Sequence, residues 1–277
     1  MTINCKGNLI DLSVPKVMGI LNITPDSFYD GGKYKDEVGI LNQVEKMLVD
    51  GATFIDIGAY SSKPGAEFVS EEVELSRLLP VVALVLTKFP EAILSVDTFR
   101  STIAKKAVEN GVAIVNDISA GLLDEMMIET VAQLQVPYIM MHMKGTPQTM
   151  QSLAKYEDIV KEMMYYFSER IQVARSFGLN DIIVDPGFGF AKTLEQNYEV
   201  MQKLDYFSIL EVPILVGISR KSMIYKLLDS TANEALNGTT VLNTIGLTNG
   251  ADIIRVHDAK EAKEAIQLVD ACMHSGS

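Results

Sequence analysis

The sequence predicts an α/β protein, a (β/α)8 TIM barrel with an N-terminal β-hairpin, and three observations predict it. Eight short apolar runs alternate with eight segments of helical period, the strand–helix count of such a barrel. The 277 residues suit one barrel as a single domain over residues 1–277, and no Pro/Gly/Ser linker or composition break divides them. Polar residues follow nearly every strand, as they do around a barrel mouth. The alternative is an open doubly wound sheet, which gathers its ligand groups at one switch point, often with G-x-G-x-x-G after a strand. Here the only G-x-G is Gly187-Phe188-Gly189, and no third glycine follows in register.

Thr2 to Val14 reads as a short hairpin turning at Lys6-Gly7-Asn8. The expected strands are Val17–Leu21, Phe54–Ile57, Ile93–Val96, Ala113–Val115, Tyr138–Met141, Ile182–Val184, Ile214–Val216 and Ile253–Val256. The helices between them are Glu37–Val49, Glu71–Phe89, Arg100–Glu109, Leu122–Leu134, Glu157–Phe177, Thr193–Leu204, Glu234–Asn249 and Lys260–Met273. Gly51, Asn110, Gly178 and Gly250 stand where helix C-caps are needed.

Composition narrows the function. A hydrophobic content of 48% without low-complexity blocks indicates a chain able to bury a core. The net charge of −12 argues against a nucleic-acid or anionic-membrane surface, so an anionic substrate requires a few cations to invert the field locally. Cys5 and Cys272 lie at opposite ends without metal spacing, which points to a reducing compartment. Met1 to Leu12 mixes Asn, Lys and Asp with apolar residues, unlike a secretory segment. The longest apolar run, Leu78 to Leu86, is interrupted by Pro80 and far short of the ~20 residues a membrane span needs. A cytoplasmic location is expected.

The strand ends carry the chemistry. Asn22 is the first polar side chain after strand one, and Asp26 and Asp30 follow in a loop rich in Thr, Pro, Ser and Gly. Oxygen ligands in such a loop suit a hard cation such as Mg²⁺; equally, the two carboxylates can simply make turns. Strand two runs into Asp56-Ile57-Gly58-Ala59-Tyr60-Ser61-Ser62-Lys63-Pro64-Gly65-Ala66, a second long loop with two hydroxyls and a cation. Asp97, Asn116 and Asp185 end strands three, four and six. Any one of them suits a helix cap, but together they form a set able to pair edge-on with a flat heterocycle such as a pterin or a purine.

Cations cluster elsewhere on the rim. Strand seven gives Gly217-Ile218-Ser219-Arg220-Lys221-Ser222, and strand eight gives Arg255-Val256-His257. Loops after strands seven and eight of such barrels commonly bind phosphate. Arg220 and Lys221 also suit a solvated surface. Arg255, between Ile254 and Val256, is an inward arginine that requires an anion, and alternation puts His257 on its face. His142, in Met140-Met141-His142-Met143, has no second histidine at metal spacing, and the methionines suit flexible packing.

These residues also carry a family resemblance. Met18 to Gly32 resembles the amino-terminal signature of dihydropteroate synthases. Asp56–Ala66, Ser95-Val96-Asp97, Val115-Asn116-Asp117, Met141–Pro147, Asp185–Phe190, Gly217–Lys221 and Arg255–His257 resemble further blocks, in family order. The resemblance implies a transferase of folate biosynthesis and a sulfonamide target. It joins (7,8-dihydropterin-6-yl)methyl diphosphate to p-aminobenzoate, with diphosphate departing before the aniline nitrogen captures the pterin methylene cation. By the same resemblance, Asp97, Asn116, Asp185 and Lys221 bind the pterin, and Asn22 ligates Mg²⁺. Arg255 and His257 bind diphosphate with Asn22, and Ser62, Pro64, Phe190, Lys221 and Ser222 surround the aminobenzoate. Lys63 and Gly217 complete the substrate contacts. Asp97, Asp185, Lys221, Arg255 and His257 are the expected catalytic set, and a homodimer is the expected assembly. Many members read Glu-Ser-Thr-Arg-Pro-Gly where this chain has Tyr60-Ser61-Ser62-Lys63-Pro64-Gly65, so the guanidinium fork is lost there. The rival readings are a pterin-dependent methyltransferase barrel, whose cobalamin-binding D-x-H-x-x-G is not found, and a non-catalytic pterin-binding paralogue. The paralogue's mark would be loss of Asn22, Lys221, Arg255 or His257, all of which are present.

Overall fold

The computed structural model describes residues 1–23, 33–60 and 69–274. Two strands, β1 (Thr2–Cys5) and β2 (Asn8–Asp11), form the antiparallel hairpin. Its turn is Lys6-Gly7, both at positive φ (53° and 88°), as a tight two-residue hairpin turn requires. Asn8, expected in the turn, instead pairs with Cys5 as the first residue of β2.

Eight parallel strands follow: β3 (Lys16–Asn22), β4 (Phe54–Gly58), β5 (Ile93–Asp97), β6 (Ile114–Asp117), β7 (Tyr138–Met141), β8 (Ile182–Asp185), β9 (Leu215–Val216) and β10 (Ile253–Val256). They pair in the order β8-β7-β6-β5-β4-β3-β10-β9. The two ends meet through a parallel bridge between Val184 and Ile214, and Val184 N–H donates to the Pro213 carbonyl at 2.9 Å. The sheet is therefore a closed barrel. Its seam strand β9 is short for a local reason. Pro213 has no N–H to donate, and the Ile214 N–H is taken by the Asp252 carboxylate at 2.8 Å.

The outer layer is α1 (Lys33–Val49), α2 (Glu71–Lys88), α3 (Ser101–Glu109), α4 (Met127–Leu134), α5 (Ile159–Ser176), α6 (Leu194–Gln202), α7 (Ser222–Tyr225), α8 (Leu236–Thr248) and α9 (Ala259–His274). Their apolar stripes, including Val44, Leu78, Val82, Ile103 and Phe167, pack with the outward residues of the strands in one buried cluster. Several starts are capped by side chains: Ser70 for α2, Asp158 for α5, and a Thr193–Gln196 capping box for α6. Helix α4 starts five residues later than its period predicts. The Asp117 carboxylate accepts from the Ser119 and Gly121 N–H groups at 2.8 and 2.7 Å and from the Tyr138 hydroxyl. Asp124 accepts from the Ser101 N–H at 2.7 Å. These bonds hold the segment after β6 as turns, with Ala120 and Gly121 at positive φ.

Inside the barrel, each strand gives its amino-terminal end to a second apolar cluster. Met18, Phe54, Ile114, Ile139, Ile183, Leu215 and Ile253 are buried there, Ile93 packs against them, and Ile3, Cys5 and Leu12 of the hairpin close the floor. Burial pushes the Cys5 thiol up to about 12, with help from the Asp181 charge, so it behaves as a small hydrophobe. Two residues further along β4, β5, β6, β8 and β10 the interior turns polar, at Asp56, Ser95, Asn116, Asp185 and Arg255, and there the site begins.

Candidate active site

Strand alternation sends the side chain two positions beyond each floor residue into the same interior, about 6.6 Å higher. On β4 that residue is Asp56, fully buried between Ile55 and Ile57. Its Oδ2 accepts from Arg255 Nε at 2.6 Å and from Asn116 Nδ2 at 3.0 Å. On β5 it is Ser95, and Asp97 follows two residues on; Asp97 Oδ2 accepts from Arg255 Nη2 at 2.9 Å. The anion that Arg255 requires is thus supplied first by the protein itself, by Asp56 and Asp97. A guanidinium has five N–H donors, and these two bonds leave three for a ligand.

Burial pushes the Asp97 carboxyl up to about 7, against the pull of Arg255 and with the push of Asp56. Burial likewise raises Asp185, while Lys221 and the Gly187 N–H, donating to its Oδ1 at 2.7 Å, draw it back. Lys221, at the start of α7, donates to the Phe188 carbonyl at 2.5 Å and lies 5.0 Å from the centre of the Phe190 ring. Desolvation brings it down to about 8, with Asp185 and Asp97 holding it up and Arg255 pushing it down. Asp97, Asn116, Asp185, Lys221 and Arg255 therefore form one electrostatically connected group, so two cations expected elsewhere on the rim stand among the acceptors.

Glycines frame this group. A β-carbon on Gly58 would lie 3.5 Å from Asn22 Oδ1 and 3.9 Å from Asp97 Oδ2, so these two polar atoms flank one small residue. One on Gly217 would lie 3.8 Å from both Asp185 Oδ2 and Arg255 Cβ. Asn22 itself is exposed at the exit of β3. To one side, Met141, Met143, Met150, Ile118 and Ala191 make a small buried cluster with Phe99, Leu123 and Phe190 against it. The methionines thus pack as a soft apolar wall beside the charges.

His257 lies on the exposed rim. Ser219 Oγ accepts from the His257 backbone N–H at 3.1 Å and sits 3.0 Å from its Nδ1. The Ser219 hydroxyl, which can donate to or accept from Nδ1, thus holds the orientation of the imidazole. Ser222 is half-buried as the first residue of α7. Arg220 is not a site cation: its fork holds Asp258 at 2.9 and 2.7 Å and it also reaches the Ala232 and Asn233 carbonyls. Asp26, Asp30, Ser62, Lys63 and Pro64 lie outside the described residues.

Two functional-looking residues escaped the sequence reading. Asp56 was legible by the argument that singled out Arg255, since an ionised group between two isoleucines of a barrel strand needs a partner inside. Lys192 is buried and donates to the Gly187 and Phe190 carbonyls at 3.0 and 3.1 Å, with His142 Nδ1 also at 3.1 Å. No spacing in the sequence announces that triangle. His142 itself is buried edge-on against Tyr166, with ring centres 4.9 Å apart.

A family model described as pterin binding enzyme matches residues 18–257. Dihydropteroate synthase of Escherichia coli (strain K12) is 42% identical over 275 residues, covering 99% of this chain and 97% of that protein. Yersinia pestis dihydropteroate synthase, in a sulfonamide drug complex, matches with a TM-score of 0.92 and 39% identity over 99% of each chain. The Xanthomonas albilineans enzyme with 4-aminobenzoic acid matches with a TM-score of 0.91 and 33% identity, over 99% of this chain and 98% of that one. A barrel of this topology, with an acid-lined mouth beside two cations and full-length kinship of this order, places the chain in the dihydropteroate synthase family of pterin-binding enzymes.

Proposed function

We propose that this chain condenses (7,8-dihydropterin-6-yl)methyl diphosphate with p-aminobenzoate to give 7,8-dihydropteroate and diphosphate. The observation that carries this is the pairing, in one mouth, of acceptors (the half-buried Asp97 and the buried Asn116 and Asp185) with cations (Lys221, Arg255). The acceptors suit the N–H edge of a pterin, and the negative charge of Asp97 and Asp185 in their ionised forms favours a ring that becomes electron-poor as its leaving group departs. Arg255, with three donors to spare, and the His257 imidazole suit the diphosphate on which charge accumulates. Phe190 and the aliphatic stem of Lys221 offer an apolar face to the aminobenzoate ring, with Gly217 and Ser222 beside it. Ser62, Lys63 and Pro64 complete that surface in this reading. Asp97, Asp185, Lys221, Arg255 and His257 form the catalytic set. The aniline attacks as a neutral amine, so no activated nucleophile of the serine–histidine kind is required.

Mg²⁺ is the proposed metal. Among the described residues no three His, Cys, Asp or Glu side chains cluster to hold an ion unaided. One exposed amide oxygen, that of Asn22, fits an ion that keeps much of its water and takes its other ligands from substrate phosphate. When bound there it would neutralise charge on the leaving diphosphate. A homodimer remains part of the proposal, supported by the exposed apolar residues Val241, Ile245, Leu268 and Met273 on α8 and α9. No helix among the described residues is long and apolar enough to cross a membrane, which supports a cytoplasmic enzyme. Incubation with the pterin diphosphate, p-aminobenzoate and Mg²⁺ tests the function: dihydropteroate and diphosphate are expected in equal amounts. Absence of both overturns it.

A further inference from the structure

The loop from Asp185 to Ala191 presents two groups of the proposed site, the Asp185 carboxylate and the Phe190 ring. It has no ladder of its own, and Gly187, Gly189 and Ala191 stand at φ of 68°, 83° and 47°. Its carbonyls therefore point in several directions, and each needs a separate donor. Phe188 receives Lys221, and Ala191 receives the Tyr156 hydroxyl at 2.8 Å. Gly187 and Phe190 both receive the ammonium of Lys192.

The third partner of that ammonium is His142 Nδ1, and His142 N–H donates to the Asp185 carbonyl at 2.9 Å. An ammonium has three donors and no acceptor, and here three acceptors stand within 3.1 Å of it. The match needs a neutral imidazole accepting at Nδ1. Burial, with Lys192 and Lys144 nearby, holds His142 well below the usual range and so supplies one. A buried ammonium costs solvation that a methionine of similar shape would not. Stability alone thus gives no reason for a lysine at this position. What it adds is direction, two bonds to carbonyls of the loop and a third that ties them to His142.

We propose that Lys192, seated on His142, is a positioning residue that sets the Asp185–Ala191 loop and thereby the placement of the Asp185 carboxylate and the Phe190 ring. This rests on the proposed function for its kinetic readout and on geometry alone for its structural one. The groups facing the ammonium are Asp185 from β8, Lys221 from the start of α7, and His142 and Lys144 from the segment after β7. Desolvation, Lys221 and Lys144 lower Lys192 to about 7 while Asp185 resists. Near neutrality, then, the amine form gives up one of the three donors.

The experiment compares wild type with Lys192→Met and Lys192→Arg. It measures KM and kcat for both substrates from pH 6 to 9, and deuterium exchange of the peptide covering residues 185–192. For Lys192→Met we expect roughly tenfold higher KM for both substrates, loss of a KM inflection near pH 7, and faster exchange confined to that peptide. Lys192→Arg, which keeps donors, should recover part of the KM. If Lys192→Met does not fold, His142→Leu removes only the third acceptor and should raise exchange in the same peptide. Unchanged exchange there in a folded variant overturns the proposal, as do KM values and a pH profile within twofold of wild type. A wild-type protein without turnover would refute the functional reading instead and leave the exchange result to decide this one.

Discussion

The floor and the mouth of the barrel are built on the same strands and the same inward face, one pleat apart. Phe54 and Asp56, Ile183 and Asp185, Ile253 and Arg255 are neighbours two residues removed. At the floor the interior is apolar, closed by Ile3 and Leu12, and contains nothing to bind. At the mouth the interior is ionic, and its charges are held by one another and by an amide: Arg255 by Asp56 and Asp97, and Asp56 also by Asn116. The difference teaches that burial itself is not what separates structure from chemistry here, because Asp56 is as buried as Phe54. The separation lies in what each buried group needs from its neighbours. Apolar side chains need only volume, whereas charged ones need partners with spare capacity, and spare capacity is what a ligand can use.

The largest effect that sharpens this contrast is expected at the floor. Phe54→Ala should lose ~3–5 kcal/mol of stability through cavity formation. The folded fraction should retain kcat/KM within twofold, measured by urea unfolding beside steady-state kinetics. A tenfold fall in turnover per folded molecule would show that the two regions are not independent. Next comes Arg255→Ala, which should weaken diphosphate binding by about 2–5 kcal/mol in calorimetric titration. Because it also leaves Asp56 and Asp97 without their cation, it should lower the melting temperature as well. Undiminished diphosphate affinity would remove Arg255 from the anion site.

Smaller is Ser219→Ala, which removes the hydroxyl orienting His257. One hydrogen bond to a rim imidazole is worth about 0.5–1.5 kcal/mol, so KM for the pterin diphosphate should rise a few-fold with kcat nearly constant. An unchanged KM would mean that the imidazole needs no orienter. A different effect concerns pH. Lys192 and Lys221 titrate near about 7 and about 8, below the ordinary lysine value of 10.5. Between those values the native protein binds fewer protons than the unfolded chain, so their contribution to stability rises with pH across the window. Below about pH 7 both states are protonated and that contribution is absent. Urea midpoints at pH 7 and 9.5 should diverge less in Lys192→Met than in wild type; equal divergence would mean that Lys192 is not the titrating group.

The contrast also explains which parts were legible in advance. Apolar runs with β-branched residues announce the strands, and every expected strand lies within two residues of an observed one. Polar residues just beyond those runs announce Asp97, Asn116 and Asp185, because a barrel gathers its strand ends, and a charge inside the last run announces Arg255. Long-range pairing is different. That Asp56 and Arg255 meet, 199 positions apart, follows only from barrel closure and register. The Lys192 triangle depends on three positive-φ residues whose angles no pattern encodes. Helix α4 starts late because Asp117 spends its carboxylate on backbone N–H groups, a local competition that helical period cannot register.

The seam between β8 and β9 has a consequence for how the molecule fails. Only a two-residue strand and one bridge close the sheet there, while β3 and β4 share five register pairs. Sub-global opening is cheapest where the ladder is thinnest. Asp185 stands on one bank of that seam, and Gly217 and Lys221 on the other. On warming, the gap between those banks should widen before the rest of the staves loosen. The molecule should therefore fall silent while still folded, with inactivation running several degrees ahead of melting and recovering fully on cooling.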